Sequence, residues 1–262
     1  FLAVVFGMAL PVYGQYGGGD GSAANPYQIW DPNHMNAIGA NSGHWGKCFK
    51  LMANIDMSRF TGTQYKIIGN SSTKFTGKFD GNRHIITNLT YTTTSATNYV
   101  GLFGYTNNAT IQNLRIENVS ISSGGDYIGG LVGYHNSGTL NDCCANGLVS
   151  GNMYIGGLAG WNVGTITGCY ANSLVSGGEE SVGGLVGVNG SMMDSGTITS
   201  CYATGSVSGA GYYVGGLVGL NYRTITASYA TGLVSGADVS VRGLVGMNLG
   251  LTLNSSFWDV QT

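Results

Sequence analysis

One phrase constrains this chain more than any other. Gly-Gly-Leu-Val-Gly stands at Gly129 to Gly133, Gly183 to Gly187 and Gly215 to Gly219. Variants stand at Gly156 to Gly160, with Ala159 for Val, at Arg242 to Gly246, and at Val100 to Gly104, which carries Leu102-Phe103. The central leucines are Leu102, Leu131, Leu158, Leu185, Leu217 and Leu244, so the separations are 29, 27, 27, 32 and 27 residues. A sustained period of this length marks a solenoid, in which each unit buries its apolar face only by stacking on the next. Three short strands with Gly-rich corners fill 27 residues per turn. A propeller blade of the WD type needs about 40, and leucine-rich repeats carry a different Asn-Leu pattern.

Aligned on each leucine, the copies form columns. The residue two after Leu is always Gly. A large apolar or aromatic residue follows: Tyr105, Tyr134, Trp161, Val188, Leu220, Met247. Next come Thr106 and His135, then Asn162, Asn189, Asn221 and Asn248. Further on lie an aliphatic column (Ile111, Leu140, Ile166, Ile198, Ile225, Leu253) and a column of Leu114, Cys143, Cys169, Cys201, Ser228 and Ser256. Stacked rungs about 4.8 Å apart bring like residues together. The Gly and Asn columns are expected where the chain bends or takes positive φ, and Asn amides can also hydrogen-bond along a stack. Ser191 to Ser195 is an insertion at one corner and accounts for the 32-residue interval.

The glycines, 46 of 262 residues, lack the three-residue period of collagen. Charged residues are only 8% and the net charge is −2, so no attraction to nucleic acid is implied. Residues 1–14 read as the end of a secretory signal, with Phe1 to Leu10 as its apolar core and Val12-Tyr13-Gly14 near a cleavage site. The initiator Met and basic leader are missing, and the run is too short to span a membrane. Residues 15–99 read as an N-terminal cap and leading coils, continuous with the regular repeats over 100–262. Asp31-Pro32 predicts a helix start, with Met35 and Ile38 on one face, suited to closing the first coil. Asp80-Gly81-Asn82 reads as a turn between strands.

The Gly-Gly-Leu-Val-Gly core, with Gly-Thr-Ile and Cys-Tyr-Ala-Thr-Gly-x-Val-x-Gly downstream, resembles the GLUG motif family. The fullest copy is Thr197-Ile198, Cys201-Tyr202-Ala203-Thr204-Gly205 and Val207-Ser208-Gly209. The resemblance covers about residues 100–262. Phe79 to His84 and Met52 to Ser58 look like the leading coils of such proteins, and Phe257-Trp258-Asp259 like their closing phrase. It implies an all-β chain, a right-handed parallel β-helix of the pectin-lyase-like type, and a secreted or cell-surface, adhesin-like setting in bacteria. It also implies that the motif marks a structural repeat and not an active site. The stop after that phrase suggests that a downstream region is missing.

Candidate chemistry is sparse. Cys143, Cys169 and Cys201 share one column and read as small buried hydrophobes, although stacked positions lie within disulfide range. Cys143 and Cys144 are expected to point to opposite faces. No Cys-x-x-Cys supports a metal, the glycines lack the Lys-Ser/Thr of a phosphate loop, and no cofactor is implied. Asp80 and His84 are the only acid–imidazole neighbours and read as a solvated turn. The repeat carboxylates Asp142, Glu179, Glu180, Asp194, Asp238 and Asp259 share no column, which argues against a polysaccharide lyase or glycosidase. If Cys169 and Ala171 point inward, Tyr170 points out, so Tyr170, Tyr202, Tyr229 and Phe257 form an exposed aromatic ladder. Such a ladder can meet a glycan or a cell-surface protein, or simply stabilise the stack. The expected role is therefore a non-catalytic surface module. The alternatives are a polysaccharide-active enzyme, and a binder of an ordered surface such as ice or crystalline polysaccharide. Regular Thr columns would support the last, and the outward columns read as mixed.

Overall fold

The computed structural model describes residues 15–237, 240–250 and 252–259. The signal expected over 1–14 and Asp238 lie outside them. The chain winds as an all-β parallel solenoid. Each strand pairs in parallel with its counterpart one coil later, as in Thr165↔Thr197, Ile166↔Ile198 and Thr167↔Thr199. Four sheets result. A nine-stranded sheet runs from Tyr27–Ile29 to Thr252–Asn254, and an eleven-stranded one from Ile55–Asp56 to Phe257–Trp258. A six-stranded sheet runs from Phe103–Thr106 to Val245–Asn248, and a five-stranded one from Ile128–Gly129 to Val241–Arg242.

The regular coils thus hold four strand positions where the sequence predicts three. The extra one comes from the motif itself. Ile155–Gly156 and Ala159–Asn162 are separate strands in separate sheets, joined only by Gly157-Leu158. So sharp a step needs glycine, though not for the reason expected. None of the motif glycines has positive φ. Close approach demands them instead. A Cβ on Gly183 would strike the Val186 carbonyl, one on Gly184 the Gly216 carbonyl of the next coil, and one on Gly187 the Gly160 carbonyl of the previous one. All these contacts would fall well inside the 3.0 Å that real Cβ atoms respect.

Between the glycines, the leucine main chain links the coils. Leu131 N donates to Leu158 O at 2.9 Å, Leu158 N to Leu185 O at 2.9 Å, Leu185 N to Leu217 O at 2.9 Å and Leu217 N to Leu244 O at 2.8 Å. Each acceptor also takes the next amide, as Leu158 O takes Val132 N at 3.0 Å. The leucine side chains from Leu102 to Leu217 are fully buried beside the aliphatic column. In the leading coils the same core is filled by Phe49, Phe75, Phe79 and Phe103, and Phe79 pairs in register with Ile111.

Left-handed conformations fall elsewhere. Asn113, Asp142, Gly168, Ser200, Ala227 and Ser255, with φ from 49° to 62°, occupy one corner where the chain passes from the nine- to the eleven-stranded sheet. The Asn column is not left-handed. It is a buried amide ladder: Asn162 Nδ2 donates to Asn189 Oδ1 at 2.8 Å, Asn189 to Asn221 at 2.8 Å and Asn221 to Asn248 at 2.7 Å. His135 continues the column, fully buried, with Nδ1 2.8 Å from Thr106 Oγ1.

At the start, Asp31 accepts from Asn33 N at 2.8 Å and His34 N at 2.9 Å, capping a helix over Pro32–Ala40. Met35 and Ile38 enter the core, and Trp45 Nε1 donates to Ile38 O at 2.7 Å. The helix stands in the first coil where later coils place strands. The insertion Ser191 to Ser195 stands off the corner, and Arg223 of the next coil donates to Asp194 O at 2.6 Å and Met192 O at 2.9 Å.

Two predictions follow from this packing. Gly183→Ala, whose Cβ would meet the Val186 carbonyl at 2.0 Å, is expected to cost about 1–3 kcal/mol by overpacking. Gly46→Ala, whose Cβ would meet Thr76 Oγ1 only at 3.5 Å, should stay within about 0.5 kcal/mol in urea unfolding. Burial also pushes the His135 imidazole down to about 4 from 6.5. The unfolded chain therefore takes up the proton first, and stability falls as pH drops from 6.5 towards 4. By pH 4 this group has removed about 3 kcal/mol. His135→Asn, extending the amide ladder, should flatten that dependence.

Candidate functional site

The tyrosines of the fullest repeats stand just past the left-handed corner, at the start of strands Tyr170–Gly177, Tyr202–Ala203, Tyr229–Ala230 and Phe257–Trp258. Cys169 and Ala171 are buried, so period-two alternation turns Tyr170 outward. Register aligns Arg115, Cys144, Tyr170, Tyr202, Tyr229 and Phe257 in one column. The rings stack at 4.8, 5.1 and 5.3 Å between centroids, with interplanar angles of 2°, 8° and 7°.

This stacking restricts what the ladder can bind. Inner rings cover each other's faces, so Tyr202 and Tyr229 offer only edges and hydroxyls. An open face remains on Tyr170, whose neighbour in the column is the small Cys144. That thiol does point away from the core, as expected, yet is covered, and burial pushes its pKa up. The thiol and its own burial push the Tyr170 hydroxyl up to about 12, so it stays protonated at neutral pH.

All five cysteines are free. The Cys143, Cys169 and Cys201 thiols donate to Asn141 O, Thr167 O and Thr199 O at 3.2, 3.3 and 3.2 Å, and they pack as small buried groups. Asp80 and His84 do not pair. Asp80 accepts from Asn82 N at 2.8 Å and Asn113 Nδ2 at 3.1 Å, while His84 Nδ1 lies 3.3 Å from Asn54 Oδ1. Among the described residues no His, Cys, Asp and Glu cluster suits a metal ion, and no helix is long and apolar enough to cross a membrane.

Three surface features escaped the sequence. Tyr99, Tyr127 and Tyr154 form a second stack, in contact with Tyr105, Tyr134 and Trp161. Tyr99–Tyr127 lie 4.8 Å apart at 10°, Tyr105–Tyr134 4.7 Å at 19°, and Tyr154 meets Trp161 edge-on at 5.0 Å and 76°. The first three have φ of 60° to 61°, unusual for bulky residues, where the main chain crosses over the motif's last glycine. The signal was a Tyr two residues before the motif's first glycine in successive copies. Second, Asp126 and Glu179 stand on either side of Asn152, whose Nδ2 donates to them at 3.4 and 3.3 Å. Asp126 lies within the repeats and adds to the six carboxylates named above; it and Glu179 meet Asn152 at an exposed loop corner, not in a strand column. Third, one outward column of the nine-stranded sheet is threonine over six coils, while its neighbour is mixed as expected. Thr110, Thr139, Thr165, Thr197, Thr224 and Thr252 are in continuous register, beside Gln112, Asn141, Thr167, Thr199, Thr226 and Asn254. Every one of these threonines is at least partly exposed.

Comparison with known proteins agrees with this architecture. Residues 151–175, 178–208 and 210–235 match the family described as the GLUG motif. Halomucin of Haloquadratum walsbyi is 37% identical over 150 residues, 54% of this chain and 2% of halomucin. A "Putative Gly-rich membrane protein" of Evansella cellulosilytica is 35% identical over 116 residues, 43% of this chain and 12% of that protein. The chain thus spans only a small part of either relative. The crystal structure titled as a putative immunoglobulin A1 protease from Bacteroides ovatus superposes with a TM-score of 0.68, covering 94% of this chain and 86% of that one at 24% identity, a likeness of fold. The chain is a parallel β-solenoid in which three successive repeats match the GLUG motif.

Proposed function

We propose that the chain is a rigid, non-catalytic segment of a cell-surface or secreted protein, which displays an adhesive face to a glycan or a protein. The observation that carries this reading is the outward aromatic ladder, held in register by the main chain and left with an open ring face at Tyr170. An open aromatic face can pack on the apolar face of a sugar or against a protein side chain. The relative named as a membrane protein, and the resemblance to secreted proteins, support the location. On a glycan and protein array, Tyr170→Ala should lower binding about tenfold. Asp126→Asn and Glu179→Gln should leave it unchanged. Polysaccharide turnover abolished by either carboxylate substitution would contradict the non-catalytic reading and favour a glycosidase.

A second reading has its own support in the threonine column and its neighbour. Hydroxyls and methyls recur about 4.8 Å down the stack and, where two threonines flank an isoleucine, about 6.6 Å across it. Over six coils these two columns hold no charge. Such a face suits a neutral ordered lattice, of which ice is the simplest. The prediction is inhibition of ice recrystallisation that Thr197→Lys removes. No inhibition by the unaltered chain would end this reading and leave the first intact.

A further inference from the structure

We propose that the cavity at the head of the tyrosine ladder is a subsite for one carboxylate-bearing sugar residue. The proposal rests on the glycan reading above and specifies where and which sugar. The column Arg115, Cys144, Tyr170 drops from an aromatic ring to a thiol, and the drop leaves a recess of about 230 Å³. Its lining includes Arg83, Asn113, Arg115, Asp142, Cys144 and Tyr170. The volume is below the ~300–1,000 Å³ of sites for drug-sized ligands and suits a single ring.

The chemistry of the lining is mixed in a specific way. Tyr170 supplies an aromatic face not covered by another ring, because only its other side stacks on Tyr202. Arg83 is exposed and, among the described residues, forms no ion pair. Its main chain is left-handed, with φ of 63°, and its amide donates to Asn113 O at 3.1 Å, so the residue is anchored at the rim. Arg115 also lines the recess, half exposed and already paired with Glu117. Asp142 is the one carboxylate in the lining, and Asn141 Nδ2 donates to it at 2.8 Å.

A neutral sugar would leave the Arg83 fork unused. A phosphate or a simple carboxylate would leave the Tyr170 face unused. A uronate satisfies both: its carboxylate matches a guanidinium in two parallel hydrogen bonds, while its ring carbons pack on the phenol. Asp142 repels the ligand's carboxylate and accepts its hydroxyls, so it sets the direction in which the ring enters. The Asn113 side-chain oxygen Oδ1 offers a second acceptor, since the Nδ2 of the same amide donates to Asp80 at 3.1 Å.

The test titrates the full chain with trigalacturonate and with its methyl ester, the same sugar without charge, by calorimetry. The acid should bind about tenfold tighter than the ester. Arg83→Gln should abolish that preference while the ester's affinity stays the same. Tyr170→Ala should weaken both ligands, and Lys66→Gln, an exposed cation outside the recess, neither. Equal binding of acid and ester, or a preference that survives Arg83→Gln, would overturn the subsite and leave the glycan reading standing. Binding of other array glycans without either trigalacturonate form would do the same. A blank array would remove both.

Discussion

The structure depends on how closely two stretches of main chain approach at each Gly-Gly-Leu step. There the chain leaves one sheet and enters another within two residues, and no Cβ fits at any of the three glycines of the Gly183 to Gly187 copy. The leucine between them turns its side chain into the core and its amide to the next coil's leucine carbonyl. The same short segment thereby sets the bend, fills the core and fixes the register. Register then dictates the rest, since one coil's position determines that of every residue above and below it.

Columns follow, and their chemistry depends on the side they face. Inside, amides, thiols and aliphatic groups meet their own kind, and the amide ladder satisfies polar groups that burial would otherwise penalise. Outside, the same repetition produces a phenol ladder, a threonine face and a second aromatic stack. Repetition alone does not make a site. An identical neighbour on each side consumes ring faces, so recognition falls where a column is interrupted. The Cys144 step is such an interruption, and it is also where Arg83 of the leading coils and Arg115 of the first repeat meet the tyrosines.

The period, the direction of the core and the outward turn of Tyr170 were legible in the sequence, because stacking converts sequence spacing directly into contact. The helix over Pro32–Ala40 was legible from its Asp-Pro start. The fourth strand was not, because Ile155–Gly156 is only two residues long and carries no alternation of its own. The left-handed corner was hidden by its composition: Asn, Asp, Gly, Ser and Ala all occupy it, so no residue type marks it. The carboxylates beside Asn152 were missed because they come from coils two apart at a loop corner, and the threonine column because Gln112, Asn141 and Asn254 break the column beside it.

Amide hydrogen exchange tests the central claim most directly. If the leucine step holds the coils together, the amides of Leu158, Leu185 and Leu217, with Ala159, Val186 and Val218, should be among the slowest in the chain and exchange as one block, at the rate of global unfolding. The insertion amides of Met193 and Asp194, held only by the Ser191 side chain, should exchange far faster. Leucine-step amides that exchange as quickly as those of the insertion would contradict the account.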